Sequence, residues 1–484
     1  MSTEKPEHVR YTRNRREFLT DSFCGFGSLA FAQLASSSVA HGAYGAHGAK
    51  PVNPLAPKSP HHPAKAKNVI FVFMAGGPSH LETFDPKPLL NKLSGQKRPA
   101  EFGEAKYQFV QNDAKLLGTQ RTFKQHGQSG LWVSDLFPHQ AQVVDELCIL
   151  KSVTGDMVVH SAAQYQMMTG RILPGFPSMG SWMLYGLGSE ANSLPSYCVL
   201  PDPDGALEAG QPMYMNGFLP AVYQPSMLRP GPKPVLNLDL PQNVKFENRK
   251  KTIDLIKRLN EANPDGEDPE FAARMSAYDT AFKMQTEAPE VFDVMKESPE
   301  TLAMYGVGTE VTDDYGRRCL LARRLVEKGV RFVCVVSGGG PGDLQWDAHA
   351  DIEENHLRMA AQADQPIAAL IKDLKQRGML EDTLVLWGGE FGRSPEAQTG
   401  KGRDHHNLGF TMWMAGGGIK GGQSIGNTDA IGLKAVEEVH HFRDIHTTIL
   451  HQLGLNQDAL SFLHQGRKER LTEIQGSIIQ KAIA

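Results

Sequence analysis

Glu390 and Arg393 follow a short apolar run, Thr383-Leu-Val-Leu-Trp387, through two glycines, and Arg403-Asp404-His405-His406 comes shortly after. Carboxylate and imidazole together are good ligands for a borderline divalent cation. Zinc or manganese fits this donor set first, with calcium as the alternative. An arginine beside such ligands can stabilise charge on a transferring group. Three more polar clusters sit just beyond apolar runs: His80, Glu82 and Asp85, then His160-Ser161, then Asp347 and His349. Asp347, His349, Glu390, Asp404, His405 and His406 are the candidate metal ligands. His160, Ser161 and Arg393 are the candidates for the chemical step, and His80, Glu82, Asp85, Arg171 and Arg403 for substrate contact. Plainer roles stand beside these. Ser161 fits a helix cap as well as a nucleophile, and Asp347 with His349 fits a surface turn. His356 reads as a helix-surface residue, Asp364 as a helix cap, and His440, His441 and His446 as capping and packing residues.

The elements that must hold these groups read as alternating helix and strand. Asn68–Met74, 147–152, 331–336 and Thr383–Trp387 are short and rich in β-branched or apolar residues, which predicts buried strands. Helices are predicted over 136–146, from His160 toward Gly170, over 317–328, and through Ile367, Leu370, Ile371 and Leu374. This alternation is the signature of an α/β fold with a mostly parallel sheet sandwiched by helices. In such sheets ligands collect in the crevice outside the carboxyl ends of the strands, which is where all four clusters would lie. None of the 18 histidines falls between Ser161 and Ala348. About 175–300, Pro- and Gly-rich and then charged and helical, is therefore read as inserted covering segments that shape access.

The amino terminus has a separate logic. Asn14-Arg15-Arg16-Glu17-Phe18-Leu19 has the form of a twin-arginine export signal, with a small-residue apolar stretch behind it and a cleavage site at Ser38-Val39-Ala40. The expected organisation is a signal peptide over 1–40, a flexible linker over 41–67 and a catalytic-type domain over 68–484. The expected location is the periplasm or outside the cell, reached through the twin-arginine translocase, with no transmembrane anchor in the mature chain. A net charge of −4 argues against nucleic acid as a partner. Cys148, Cys198, Cys319 and Cys334 form no Cys-x-x-Cys pair and are expected as buried free thiols.

Six segments carry a family resemblance: GGPSHLETFDPKP, HGQSGLWVSDLFP, TGRILPGFPSMGSW, TLVLWGGEFGRSP, GRDHHNLGFTMWMAGGG and LHQGRKERLTEIQG. Through them the chain resembles a family of exported bacterial sulfatase-like proteins of unknown function within the alkaline phosphatase superfamily. The resemblance implies that superfamily's sheet and sites. Glu390 would stand where sulfatases carry an aspartate ligand, Asp347 and His349 would form a shortened Asp/His pair, and His405 or His406 would replace a later histidine. It also exposes departures. Gly76-Gly77 replace an Asp-Asp, Phe391 replaces a His or Asn, and His160 occupies the position of the cysteine that becomes formylglycine. The expected activity is therefore metal-dependent hydrolysis of phosphate or sulfate esters, small or polysaccharide, without formylglycine and with water preferred over Ser161 as the attacking group. The alternative is a non-catalytic protein that binds anionic polysaccharide or another envelope partner on the same scaffold.

Overall fold

The computed structural model describes residues 53–484, apart from 105–106, 111–112, 192, 237, 239–244, 262–268, 288, 399, 473 and 475. The signal peptide read at 1–40 and the start of the linker lie outside the described residues. A nine-stranded sheet organises the chain. Its strands are β1 (Asn68–Met74), β2 (Leu147–Thr154), β3 (Tyr197–Leu200), β4 (Ser226–Met227), β5 (Phe332–Ser337), β6 (Thr383–Gly388), β9 (Phe410–Ala415), β10 (Gln423–Ile425) and β11 (His440–His441). A separate hairpin of β7 (Gly392–Ala397) and β8 (Arg403–His406) follows β6. The spatial order is β10-β2-β9-β6-β1-β5-β3-β4, with β11 paired to β2.

Strand β1 lies in the middle, parallel to both β5 and β6. Its side chains alternate between faces, as the two-residue period of a strand requires. Ile70, Val72 and Met74 join one hydrophobic core, whereas Val69, Phe71 and Phe73 join the other. A sheet buried on both faces selects continuous apolar strands over alternating ones, which is why β1 reads NVIFVFM. Only β9 runs against its neighbours β2 and β6. Being antiparallel to both, it makes β2 and β6 run the same way. The carboxyl ends of β1, β2, β5 and β6 thus share one edge.

Helices α1 (His80–Thr83), α2 (His160–Thr169), α3 (Phe246–Glu261), α4 (Pro269–Glu287), α5 (Asp313–Glu327), α6 (Ile352–Gln376) and α7 (Phe442–Gln452) connect or cover these strands. The predicted helix over 136–146 is shorter, a 3-10 segment from Gln140 to Glu146. Pro138 disfavours helix before it, and the backbone N–H groups of His139 and Gln140 donate to the buried Asp364 carboxylate at 2.7 and 2.9 Å. Asp364 therefore caps this segment, not its own helix.

The linker read over 41–67 requires correction from residue 53 onward. Lys58 N–H donates to Leu187 O, His61 N–H to Gly454 O and Ala66 N–H to Gln452 O, each within 2.9 Å, and Ala66 is buried. Among the described residues no helix is long and apolar enough to cross a membrane. The four cysteines among the described residues, Cys148, Cys198, Cys319 and Cys334, are free and buried.

Candidate metal centre

The shared sheet edge brings together residues far apart in the chain. Strand β2 leads into α2, which begins at His160. Strand β5 leads to the loop holding Asp347 and His349. Strand β6 leads to Glu390, and the following hairpin carries His405. His160, Asp347, His349 and His405 each offer a ligand atom, all within 4.8 Å of one another. Asp347 Oδ1 is the common point. It lies 2.8 Å from His349 Nε2, 3.2 Å from His405 Nε2 and 3.3 Å from His160 Nε2. The Nε2 atoms of His349 and His405 are 2.9 Å apart. In a tetrahedral zinc site the ligand atoms stand roughly 3.3 Å from one another, so these spacings suit a divalent ion.

The tautomers agree with that fit. A metal-binding histidine usually donates its other ring N–H to an acceptor, which fixes which nitrogen offers a lone pair. Here His160 Nδ1 lies 2.8 Å from Glu390 Oε1, and His405 Nδ1 lies 2.7 Å from Val158 O. His349 Nδ1 meets Gln398 Oε1. With all three Nδ1–H groups donated outward, three Nε2 lone pairs converge. The buried Nε2 of His160 lies in ion-pair range of Asp347 but has no aligned hydrogen-bond partner. A cation would satisfy it.

Charge is set by the surroundings. Burial favours a neutral Asp347, yet the Arg393 charge and the three imidazoles hold its carboxyl well below the ordinary range. Burial also opposes a charged His160, but the Asp347 and Glu390 carboxylates overcome it and raise the ring to about 9, so without a metal its Nε2 carries a proton that a cation would displace to use the lone pair. His405 is pushed down to about 4, chiefly by burial and further by Arg393 and His160. Glycines at the end of β1 allow the close approach. Gly76 has φ of +99°, and a Cβ there would stand 2.6 Å from Asp347 N. Its N–H donates to both Glu390 oxygens at 3.1 and 3.2 Å. Gly76 thus holds the carboxylate that orients His160.

Other candidates are placed differently. Glu390 meets His160 Nδ1, behind the lone-pair side, so it orients a ligand. Arg393 is fully buried and donates to the carbonyls of Gly76 and Gly77 and, at 2.6 Å, to Asp347 Oδ1. With its donors committed it positions Asp347 and is no clamp for substrate. Asp404 accepts the N–H groups of Phe109, Val110 and His405 and faces away from the cluster, as does His406, held by Leu433 O. Glu82 and Arg403 form a fully buried pair. Asp85 is engaged by Thr428 and Lys87, and His80 Nε2 donates to Gly432 O. Arg171 pairs with Glu469 and lies over the Phe176 ring. None of these five touches the cluster. Ser161, one residue inside α2, caps nothing and makes no hydrogen bond to the cluster.

His356 is fully buried, not on the helix surface. Ser79 N–H donates to its Nε2 at 2.9 Å. His441 caps α7, and His446 is buried against Met167 O. Gln164, Gln398 and the Val158 carbonyl went unread in the sequence. Gln164 alone had a signal, since a residue four after His160 lies on the same helix face. Its amide donates to Glu390 at 3.2 Å.

The buried histidines outside the cluster carry a stability consequence. Burial lowers His80 to about 3, and His406 and His446 to about 4. The unfolded chain takes up protons on them near pH 6.5 while the folded chain does not. Their contribution is complete above about pH 6.5 and is lost as pH falls toward 4, at about 1.4 kcal/mol per pH unit for each. The urea midpoint is expected to fall steeply from pH 6.5 to 5. An unchanged midpoint would show that these rings are not held neutral.

A family model described as "Protein of unknown function (DUF1501)" matches residues 66–483. No curated protein matches the sequence. Among solved structures, the chain is similar to the lipoteichoic acid synthase LtaP from Listeria monocytogenes, at 12% identity and a TM-score of 0.32 over 86% of this chain and 78% of that one. It is similar to the PsFucS1 sulfatase from Pseudoalteromonas sp., at 13% identity and a TM-score of 0.34 over 81% of this chain and 68% of that one. It is also similar to the alkaline phosphatase from the Antarctic bacterium TAB5, at 10% identity and a TM-score of 0.32 over 81% of this chain and 99% of that one.

Proposed function

The chain belongs to the DUF1501 family, whose description assigns no activity, and from that premise we propose that it is an exported, metal-dependent hydrolase of phosphate or sulfate esters. One observation carries the reading: three imidazole Nε2 atoms and one carboxylate oxygen converge, with each Nδ1–H turned to an outer acceptor. His160, Asp347, His349 and His405 would hold the ion. When bound, a divalent cation supplies Lewis acidity toward an ester oxygen and lowers the pKa of water.

The chain's own residues do the rest. Glu390 holds the Nδ1 proton of His160, so that Nε2 faces inward. Val158 O does the same for His405 and Gln398 for His349. Arg393 keeps Asp347 ionised and aimed. Access is from the His349 side, whose side chain is 25% exposed against 4% for His405. Substrates would be ester anions, and delivery to the periplasm or beyond would use the twin-arginine signal.

The test is elemental analysis of the purified mature chain with turnover of 4-nitrophenyl phosphate and sulfate. About one zinc or manganese per chain is expected, with turnover lost to chelation and restored by the metal. Stoichiometric metal without turnover would favour the binding-protein reading. No metal after reconstitution would sink both uses of the cluster. Replacing Glu390 by glutamine is expected to weaken metal affinity about 10–100-fold, as loss of an outer-shell carboxylate does. Competition with a chromophoric chelator measures this.

A further inference from the structure

Beside the cluster the fold holds a carboxylate that the hydrolytic machinery leaves unused. Glu208 is exposed, but its neighbours Leu207 and Ala209 are buried and fix the loop. Two fully buried amides grip its head. Gln164 Nε2 donates to Oε2 and Gln345 Nε2 to Oε1, each at 2.8 Å. The loop itself is clipped to α2, because Ala209 N–H donates to Gln164 Oε1 at 3.0 Å and Tyr165 Oη–H to Ala209 O at 2.9 Å. The same Gln164 amide nitrogen donates to Glu390, the partner of His160. Glu208 is therefore two hydrogen bonds from the His160–Glu390 pair.

No described lysine, arginine or histidine lies within ion-pair distance of Glu208, whereas Asp347 and Glu390 each have a cationic or imidazole partner. A further acceptor is idle nearby. Gln345 Oε1, on the amide that grips Glu208, is buried and has no hydrogen-bond partner. Its orientation is fixed, since the nitrogen of that amide meets two acceptors, Glu208 and Gly340 O. An ordinary surface glutamate is not held at both oxygens by side chains that are themselves wholly buried. An unneutralised carboxylate near a centre for ester anions would repel them, unless the substrate brings positive charge to it.

We propose that Glu208 is a specificity-determining residue that receives an ammonium group on the organic part of the ester. This rests on the hydrolase reading and names its substrate class as amino-bearing esters. An ammonium has three donors and no acceptor, which matches a niche offering only acceptors. A hydroxyl needs a donor as well and fits less well. Charge-assisted hydrogen bonds are the stronger kind, so one such contact gives a measurable preference.

The test is calorimetric binding of 2-aminoethyl phosphate, 2-hydroxyethyl phosphate and ethyl phosphate to the metal-loaded chain, its Glu208→Gln variant and its Glu208→Ala variant. Metal content and melting temperature are measured on all three. The amino ester is expected to bind wild type about tenfold more tightly than ethyl phosphate, with the hydroxy ester close to ethyl phosphate. Both variants should reduce the preference to within about twofold, with ethyl phosphate bound no more weakly than by wild type and metal content unchanged. Equal binding of the amino and ethyl esters to wild type would overturn the assignment and leave the metal centre standing. A preference that survives in both variants would also overturn it. Failure of all three probes to bind the metal-loaded chain would overturn it together with the phosphate-ester half of the hydrolase reading.

Discussion

Replacing Asp347 by alanine is expected to remove metal binding and to reduce ester turnover by roughly 10³-fold or more, since Lewis-acid stabilisation amounts to several kcal/mol. The reason lies in the arrangement around one oxygen. Asp347 Oδ1 is the atom that His160, His349, His405 and Arg393 all approach within 3.3 Å. Without it the three Nε2 atoms surround empty space, and Arg393 keeps its charge with only backbone carbonyls as partners. Asp347→Asn separates charge from shape, because the side chain remains but the anion does not. It should also lose metal while unfolding closer to wild type. Elemental analysis, turnover and urea unfolding on both variants check this. Stoichiometric metal in Asp347→Ala would show that the cluster is not the binding site.

The second large effect falls on stability. Glu82→Ala is expected to cost about 3–5 kcal/mol, the usual consequence of leaving one member of a buried ion pair uncompensated. Arg403 donates from Nη2 and Nε to Glu82 at 2.7 and 3.1 Å, with both side chains inaccessible to solvent. Replacing both members by apolar residues is expected to recover only part of the loss. Arg403 Nη1 also satisfies Ser394 O and Pro395 O, which would then lack a donor. Metal content should be unchanged in the folded fraction. A Glu82→Ala protein of normal stability that bound substrate poorly would restore the substrate-contact role and overturn this assignment.

These variants separate what the sequence made legible from what it did not. The strands were readable because a sheet covered on both faces writes itself as short continuous apolar runs. Their shared edge followed once helices alternated with them, so His160, Asp347, His349, Glu390 and His405 could be assigned to one crevice. Asp404 and His406 went wrong for a reason visible in the chain. Successive side chains of a strand point to opposite faces, so Asp404 and His406 cannot share the face of His405 on β8. His356 was misjudged in the same way, since it falls on the apolar stripe of Ile352, Met359, Ala363 and Ile367, all buried. The role of Arg393 was not legible. It depends on the carbonyls of the turn at Gly76-Gly77, which local sequence does not report. Nor was that of Glu208, whose two amide partners come from α2 and from the loop after β5.

The central position of β1 bears on how the protein is made. Its neighbours pair at Phe332 and Thr383, hundreds of residues later in the chain. At ~5–20 residues per second, β1 emerges from the ribosome roughly 15 s to a minute before β6 exists. Until β5 is made it is an uncharged, proline-free run of strand-forming residues with neither edge covered, and until β6 is made one edge stays open, the composition most prone to self-association. The strand at the centre of the sheet is thus made first and paired on both sides last, so no amino-terminal piece ending before 383 holds the partners that complete it.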